Sequence, residues 1–168
     1  MKILLFSSLL LFNFSIAVCQ DFEWVKHMVP TSGSWDIGEA VTTDLNGNVY
    51  ISGYFNGTVD FDPDNSLQRN ITSTSTTGKS DIFIQSLDAN GDLRWVKSFG
   101  GEGNERVFAI VTDSQNNVYV GGYFQVTVDL TSIGAIGVTI TSNGLDDMVL
   151  VKFDSDGNYI FHKVSYLK

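Results

Sequence analysis

The sequence predicts an all-β chain made of β-propeller blades, and three observations carry that expectation. First, a phrase returns: DLNGNVYISGYF at residues 44–55 reappears 69 positions later as DSQNNVYVGGYF at 113–124, the mark of one structural unit used more than once. Second, the repeated blocks are rich in Val, Ile, Tyr and Phe and bounded by Asn, Asp and Gly, with no sustained helical period. Such blocks read as strands. Third, one strand of each unit is apolar on both faces: Ile82, Phe83, Ile84 and Leu87 in the first, Met148, Val149, Leu150, Val151 and Phe153 in the second. A strand of that kind must be covered on both sides. Two meanders packed as a β-sandwich would need one apolar face per strand, whereas blades stacked in series need two.

Taken in order, residues 1–20 combine Lys2, an apolar run from Ile3 to Phe14 and the small-residue stretch Ala17-Val18-Cys19, the pattern of a secretory signal peptide. The apolar run is shorter than the ~20 residues a spanning helix needs, so no transmembrane segment is expected after processing. A second reading of the same end is lipid attachment at Cys19. Residues 21–30 then read as a lone outer strand, because EWVK at 23–26 matches RWVK at 94–97 in the fourth strand of the first unit.

Residues 31–99 form the first blade and 100–168 the second. In each, strand a (39–44 and 107–113) turns at Asn46-Gly47 or Asn116-Asn117 into strand b (49–55 and 118–124). Strand c (82–87 and 148–153) turns at DANGD or DSDGN into strand d (93–99 and 159–164), with Gly91 and Gly157 supplying positive φ. The matched blocks place Trp24, Trp95 and Phe161 at equivalent positions. The offset between the units drifts through 71, 69 and 66, which puts the length changes in the connections. The b-to-c connections, about 56–80 and 125–146, differ most and are the expected recognition surface. Gly100-Gly101 reads as a blade-to-blade crossing and Gly121-Gly122 as close backbone packing. Two full units and an extra strand make an incomplete propeller.

NVYISGYFNGTVDFDPD, SDIFIQSLDANGDLRWVKSFGG and VTDSQNNVYVGGYF together resemble the SBBP-type β-propeller repeat of secreted bacterial proteins, in versions like those of Bacteroidetes surface proteins. The resemblance covers nearly all of residues 23–164. It implies the fold and an extracellular setting, and it transfers no functional residues, since the family is not tied to one activity.

The chemistry-bearing residues are few. Asp60, Asp62 and Asp64 in VDFDPDN alternate as ligands of a hard cation such as Ca²⁺ would. Only Asp129 survives in the aligned run VDLTSIG, and a solvated acidic loop is the competing reading. Asp88, Asn90 and Asp92, like Asp154, Asp156 and Asn158, are explained by hairpin chemistry. The histidines, His27 and His162, occupy non-equivalent positions, and no G-x-S-x-G pattern occurs. Beyond the signal there is no cysteine, which removes thiolate catalysis, thiolate metal sites and disulfides. No cofactor is expected. The net charge of -9 argues against nucleic acid.

The sequence thus leads to an exported, non-catalytic structural or binding module at a bacterial surface, secreted or surface-attached, with a protein or glycan as ligand. Its rivals are a catalytic propeller fragment of the lyase or hydrolase kind, and a truncated product without independent function. The outer faces of both terminal sheets, including groups from Val149, Val151 and Phe153 or their neighbours, are expected to lack cover. Self-association or missing blades would supply it.

Overall fold

The computed structural model describes residues 23–31, 33–64 and 68–166; the signal segment and Cys19 lie outside them. Strand β1 (Val29–Pro30) precedes the first unit, which comprises β2 (Trp35–Thr43), β3 (Val49–Asn56), β4 (Thr58–Asp60), β5 (Asn70–Thr72), β6 (Asp81–Leu87) and β7 (Leu93–Gly101). The second comprises β8 (Arg106–Thr112), β9 (Val118–Phe124), β10 (Thr127–Asp129), a 3₁₀ turn at Thr131–Ile133, β11 (Thr139–Thr141), β12 (Asp147–Phe153) and β13 (Tyr159–Ser165). β2-β3-β6-β7 and β8-β9-β12-β13 are the two antiparallel meanders. These are the a, b, c and d strands read from the sequence.

The repeated phrase encodes one local structure twice. The Asp44 carboxylate accepts the backbone N–H groups of Asn46 and Asn48, the Asn48 side-chain amide and the Tyr50 hydroxyl, all within 2.8–2.9 Å. Asp113 does the same with Gln115, Asn117 and Tyr119. Gly47 and Asn116 take the positive φ that closes each turn. Further along, β2 and β8 each carry a bulge, at Glu39 and Phe108. Opposite these bulges a Cβ on Gly53 or Gly122 would overlap the carbonyl of Ile37 or Arg106, so the phrase keeps a glycine there. The close packing expected of Gly121-Gly122 is real for Gly122, while a Cβ on Gly121 would meet nothing within 4 Å.

The blades stack in series. Tyr50, Ile82, Ile84 and Phe99 of the first blade share a core with Val107, Ile110, Val120, Val149, Val151 and Phe153 of the second. In a sandwich closed on like faces, Ile82 and Ile84 would meet their counterparts Met148 and Leu150. They meet the opposite face instead, as in a propeller. A second core of Phe55, Val59, Phe61 and Phe83, with Met28 and Ile71 against it, fills the other side of blade 1. Both faces of β6 are thus buried, as its sequence requires.

Two expectations need correction. Residues 23–28 are not a strand: only Val29 and Pro30 pair, with Asp60 and Val59. A d strand exists through the c strand beside it, and among the described residues none runs there. The matching position is nevertheless real. Trp24 Nε1 donates to the Ala89 carbonyl at 3.0 Å, as Trp95 Nε1 donates to that of Ser155 at 3.0 Å. Tyr50 stacks near Trp95 at 5.9 Å and Tyr119 near Phe161 at 6.5 Å.

The b-to-c connections are also more alike than their letters suggest. Each holds a three-pair hairpin, Thr58–Asp60 on Asn70–Thr72 and Thr127–Asp129 on Thr139–Thr141. The threonine hydroxyls facing across each hairpin lie 2.8 and 3.0 Å apart. The second hairpin adds to β7 at Gly100 and Gly101, which makes the Gly-Gly pair the stitch between blades. There a Cβ on either glycine would overlap Asp81 or the Thr127 carbonyl.

Candidate functional site

The three aspartates singled out from the sequence sit at the end of the first small hairpin. Asp60 and Asp62 are buried. The Asp60 carboxylate accepts the N–H groups of Asp62 at 3.0 Å and Arg69 at 2.8 Å, and Asp62 accepts the N–H of Asp64 at 3.0 Å. Their oxygens therefore organise the loop backbone. Among the described residues, no three His, Cys, Asp or Glu side chains come together as a metal's ligands would.

Asp88 and Asp154 hold the c-to-d hairpins by the same turn chemistry, each accepting two backbone N–H groups at 2.8–3.0 Å. His27 lies in the N-terminal segment outside the blades and His162 on β13 of the second, where its Nδ1 is 2.7 Å from the Tyr159 hydroxyl.

Two sites escaped the sequence reading. One is a pair of buried carboxyls at the blade junction. Asp81 opens β6 and accepts the Thr74 amide at 2.8 Å and the Thr74 hydroxyl at 3.1 Å. Glu105 enters just before β8 and accepts the Gly101 N–H at 3.0 Å through one oxygen, while its other oxygen is fully buried with no well-formed hydrogen bond among the described residues, the Gln125 backbone amide exerting a weaker pull on the carboxyl. Burial pushes both up, Asp81 to about 6 and Glu105 to about 7. Glu102 adds repulsion on the first and Asp81 on the second, against the pull of their hydrogen bonds. Asp147 begins β12 in the place Asp81 holds on β6 and accepts the Asn143 N–H at 2.6 Å, so this aspartate is part of the blade design.

The other is an open groove of about 410 Å³ between β5, β7 and the β12–β13 hairpin. Arg69, Asn70, Arg94, Lys97 and Asp156 line it, with Trp95 at its wall. Three of the chain's ten Lys and Arg residues meet there against one carboxylate. Arg94 is held in place by the Tyr50 hydroxyl at 3.2 Å and Ser86 at 3.0 Å, and reaches Asp156 at 3.4 Å. Tyr50 in turn donates to Asp44 at 2.9 Å, so the turn motif of the repeat also orients the groove's central guanidinium. Arg94 and Lys97 share β7, whereas Arg69 stands just before β5, and no local signal in the sequence joins it to them.

No protein-family model matches the chain. Over 97 residues it is 27% identical to an uncharacterized WD repeat-containing protein of Acanthamoeba polyphaga mimivirus, a match covering 52% of this chain and 7% of that protein. The similarity agrees with the repeated, blade-like β-structure. Among the described residues, no helix is long and apolar enough to cross a membrane.

Proposed function

We propose that this chain is an exported, non-catalytic propeller segment that acts as a structural and binding module at a bacterial surface. Its ligand on this reading is a carboxylate-bearing glycan held in the Arg69–Arg94–Lys97 groove. Repeated β-structure of this type suits a binding or scaffolding module, and the groove is the observation that carries the ligand class. In a chain of net charge -9, three cations facing one cleft mark a place for an anion. Guanidinium groups match carboxylates in a fixed fork geometry, and Arg94 is already oriented by Tyr50 and Ser86. Residues 1–20 supply the reason for export, and the resemblance to SBBP-type repeats supplies the surface setting.

Titration calorimetry with oligogalacturonate, against a neutral oligosaccharide of equal length, tests the ligand. Binding should be selective for the acidic sugar, weaken with salt, and fall at least about tenfold in the double variant Arg69→Ala, Lys97→Ala, for the loss of one or two charge-assisted contacts. Unchanged binding in that variant would sink the reading. The intact mass of the exported protein tests processing, with a start near Gln20 and no lipid expected.

A further inference from the structure

Because the two blades are one unit, each exposed face can be compared with its covered counterpart. On β6, Ile82 and Ile84 point at blade 2 and are fully buried. Their counterparts on β12, Met148 and Leu150, are 49% and 37% exposed. On β2, Val41 is 66% exposed, whereas its counterpart Ile110 on β8 lies under blade 1 at 4%. Open cavities mark both places, about 270 Å³ beside Met148 and Leu150 and about 320 Å³ beside Val41 and Ile51. The chain carries, at its two ends, the two halves of the joint that already holds its own blades together.

We propose that copies of this chain join head to tail, the Met148–Leu150 face of one copy seating on the Val41–Ile51 face of the next as blade 2 seats on blade 1. A second copy is the occupant because the complementary face is present on the same chain, and the fit is made once inside it. Thr112 Oγ1 donates to the Thr43 carbonyl at 2.8 Å across the internal joint. In the new joint, Thr43 of one copy stands where Thr112 stands and faces the Thr112 carbonyl of the other. Such a contact uses two different faces, so it repeats until a ring closes or a filament grows.

One segment occupies the seat. In the internal joint Trp95 lies over Gly157; in the new one Phe161 would arrive over Gly91, where Trp24 now sits. Residues 23–28 belong to no sheet. Trp24 is held by its bond to Ala89 and Lys26 by a 3.4 Å contact with Asp92, while β13 is paired along its whole length. The N-terminal segment is the one that yields, and it acts as a built-in competitor of assembly. This inference goes beyond the proposed function and does not depend on the groove's ligand.

Sedimentation of the chain without residues 1–20, over a concentration series, is the test. The mass should rise with concentration, and removing residues 21–30 as well, or Trp24→Ala in the intact segment, should shift the rise to lower concentration. Leu150→Glu and Val41→Glu, with folding checked by circular dichroism, should each abolish association alone, while their mixture forms a dimer and nothing larger, since each retains one good face. A chain that stays monomeric with and without residues 21–30 overturns the proposal and reserves both faces for a blade outside this chain. Association unaffected by either substitution, or a mixture that fails to pair, overturns it equally.

Discussion

Trp95 leaves the last strand of blade 1 and closes over the hairpin of blade 2, its indole N–H on the Ser155 carbonyl at 3.0 Å and its ring against Gly157. A Cβ on Gly157 would lie 2.7 Å from Trp95 Cδ2, and the residue has φ +79°. Both steric room and backbone conformation therefore demand glycine here. Gly157→Ala should cost about 2–4 kcal/mol in urea denaturation, the sum of left-handed strain and a displaced ring. Gly78→Ala, at φ +80° with open space around it, should cost only the strain, about 1–2 kcal/mol. Equal losses at the two sites would remove Trp95 from the account.

Among the described residues, Val126 is the one β-branched residue with positive φ. It has φ +59° where the first blade has Gly57 at φ +77°, and a β-branched side chain is disfavoured there. The conformation is enforced by the paired bonds between Val126 and Ser142, the Val126 N–H on Ser142 Oγ at 2.9 Å and the Ser142 N–H on the Val126 carbonyl at 2.8 Å. Val126→Gly should raise the unfolding free energy by about 1 kcal/mol, read from the midpoint shift at constant m-value.

Stability should fall from mildly acid to mildly alkaline pH. Asp81 and Glu105 titrate at about 6 and about 7, so the folded chain holds these protons more tightly than the unfolded one. Their contribution is complete below pH ~4 and is lost as pH rises through those values. Glu105→Gln keeps the size and supplies a permanent neutral group, and should flatten the decline between about pH 5 and pH 8. A variant curve parallel to that of the parent would show that the decline lies elsewhere. Asp44, Asp113 and Asp154 work in the opposite sense. Hydrogen bonds from the side chains and backbone of their turns hold them below the usual range, against some burial, so their contribution is present above the ordinary carboxylate range and lost in acid.

Asp44 is the repeat's central acceptor, and Asp44→Ala leaves the buried Tyr50 hydroxyl and two turn amides without it. A loss of about 2–3 kcal/mol is expected, together with weaker binding in the groove because Arg94 loses the bonded Tyr50 that positions it. Tyr50→Phe should reproduce the second effect with a smaller part of the first.

The eight strands of the meanders were legible because each carries its own evidence: alternating or two-sided apolar runs ended by Asp-Asn-Gly turns. The small hairpins were not. Thr58–Asp60 and Asn70–Thr72 are three residues each, too short for periodicity, and they exist through Thr–Thr pairs fourteen positions apart. Residues 23–28 failed in the opposite sense, with a strand's letters and no partner to make them one. Asp60, Asp62 and Asp64 were visible as a pattern, but only the folded loop shows Asp60 and Asp62 turned onto their own backbone. The groove is a product of topology, since Arg69 and Arg94 are brought together by β5 and β7.

The stitch at Gly100–Gly101 has a consequence for the order in which the molecule is assembled. β7 pairs with β6 of its own blade along most of its length and with β10, a strand still more than twenty positions downstream, at its end. A chain emerging from a ribosome can complete the first meander early, but it must wait for Thr127–Asp129 before that sheet is finished. The two blades are therefore interlocked in synthesis and should melt as one cooperative unit. A cut between residues 101 and 106 would separate their sequences without yielding two independent folds.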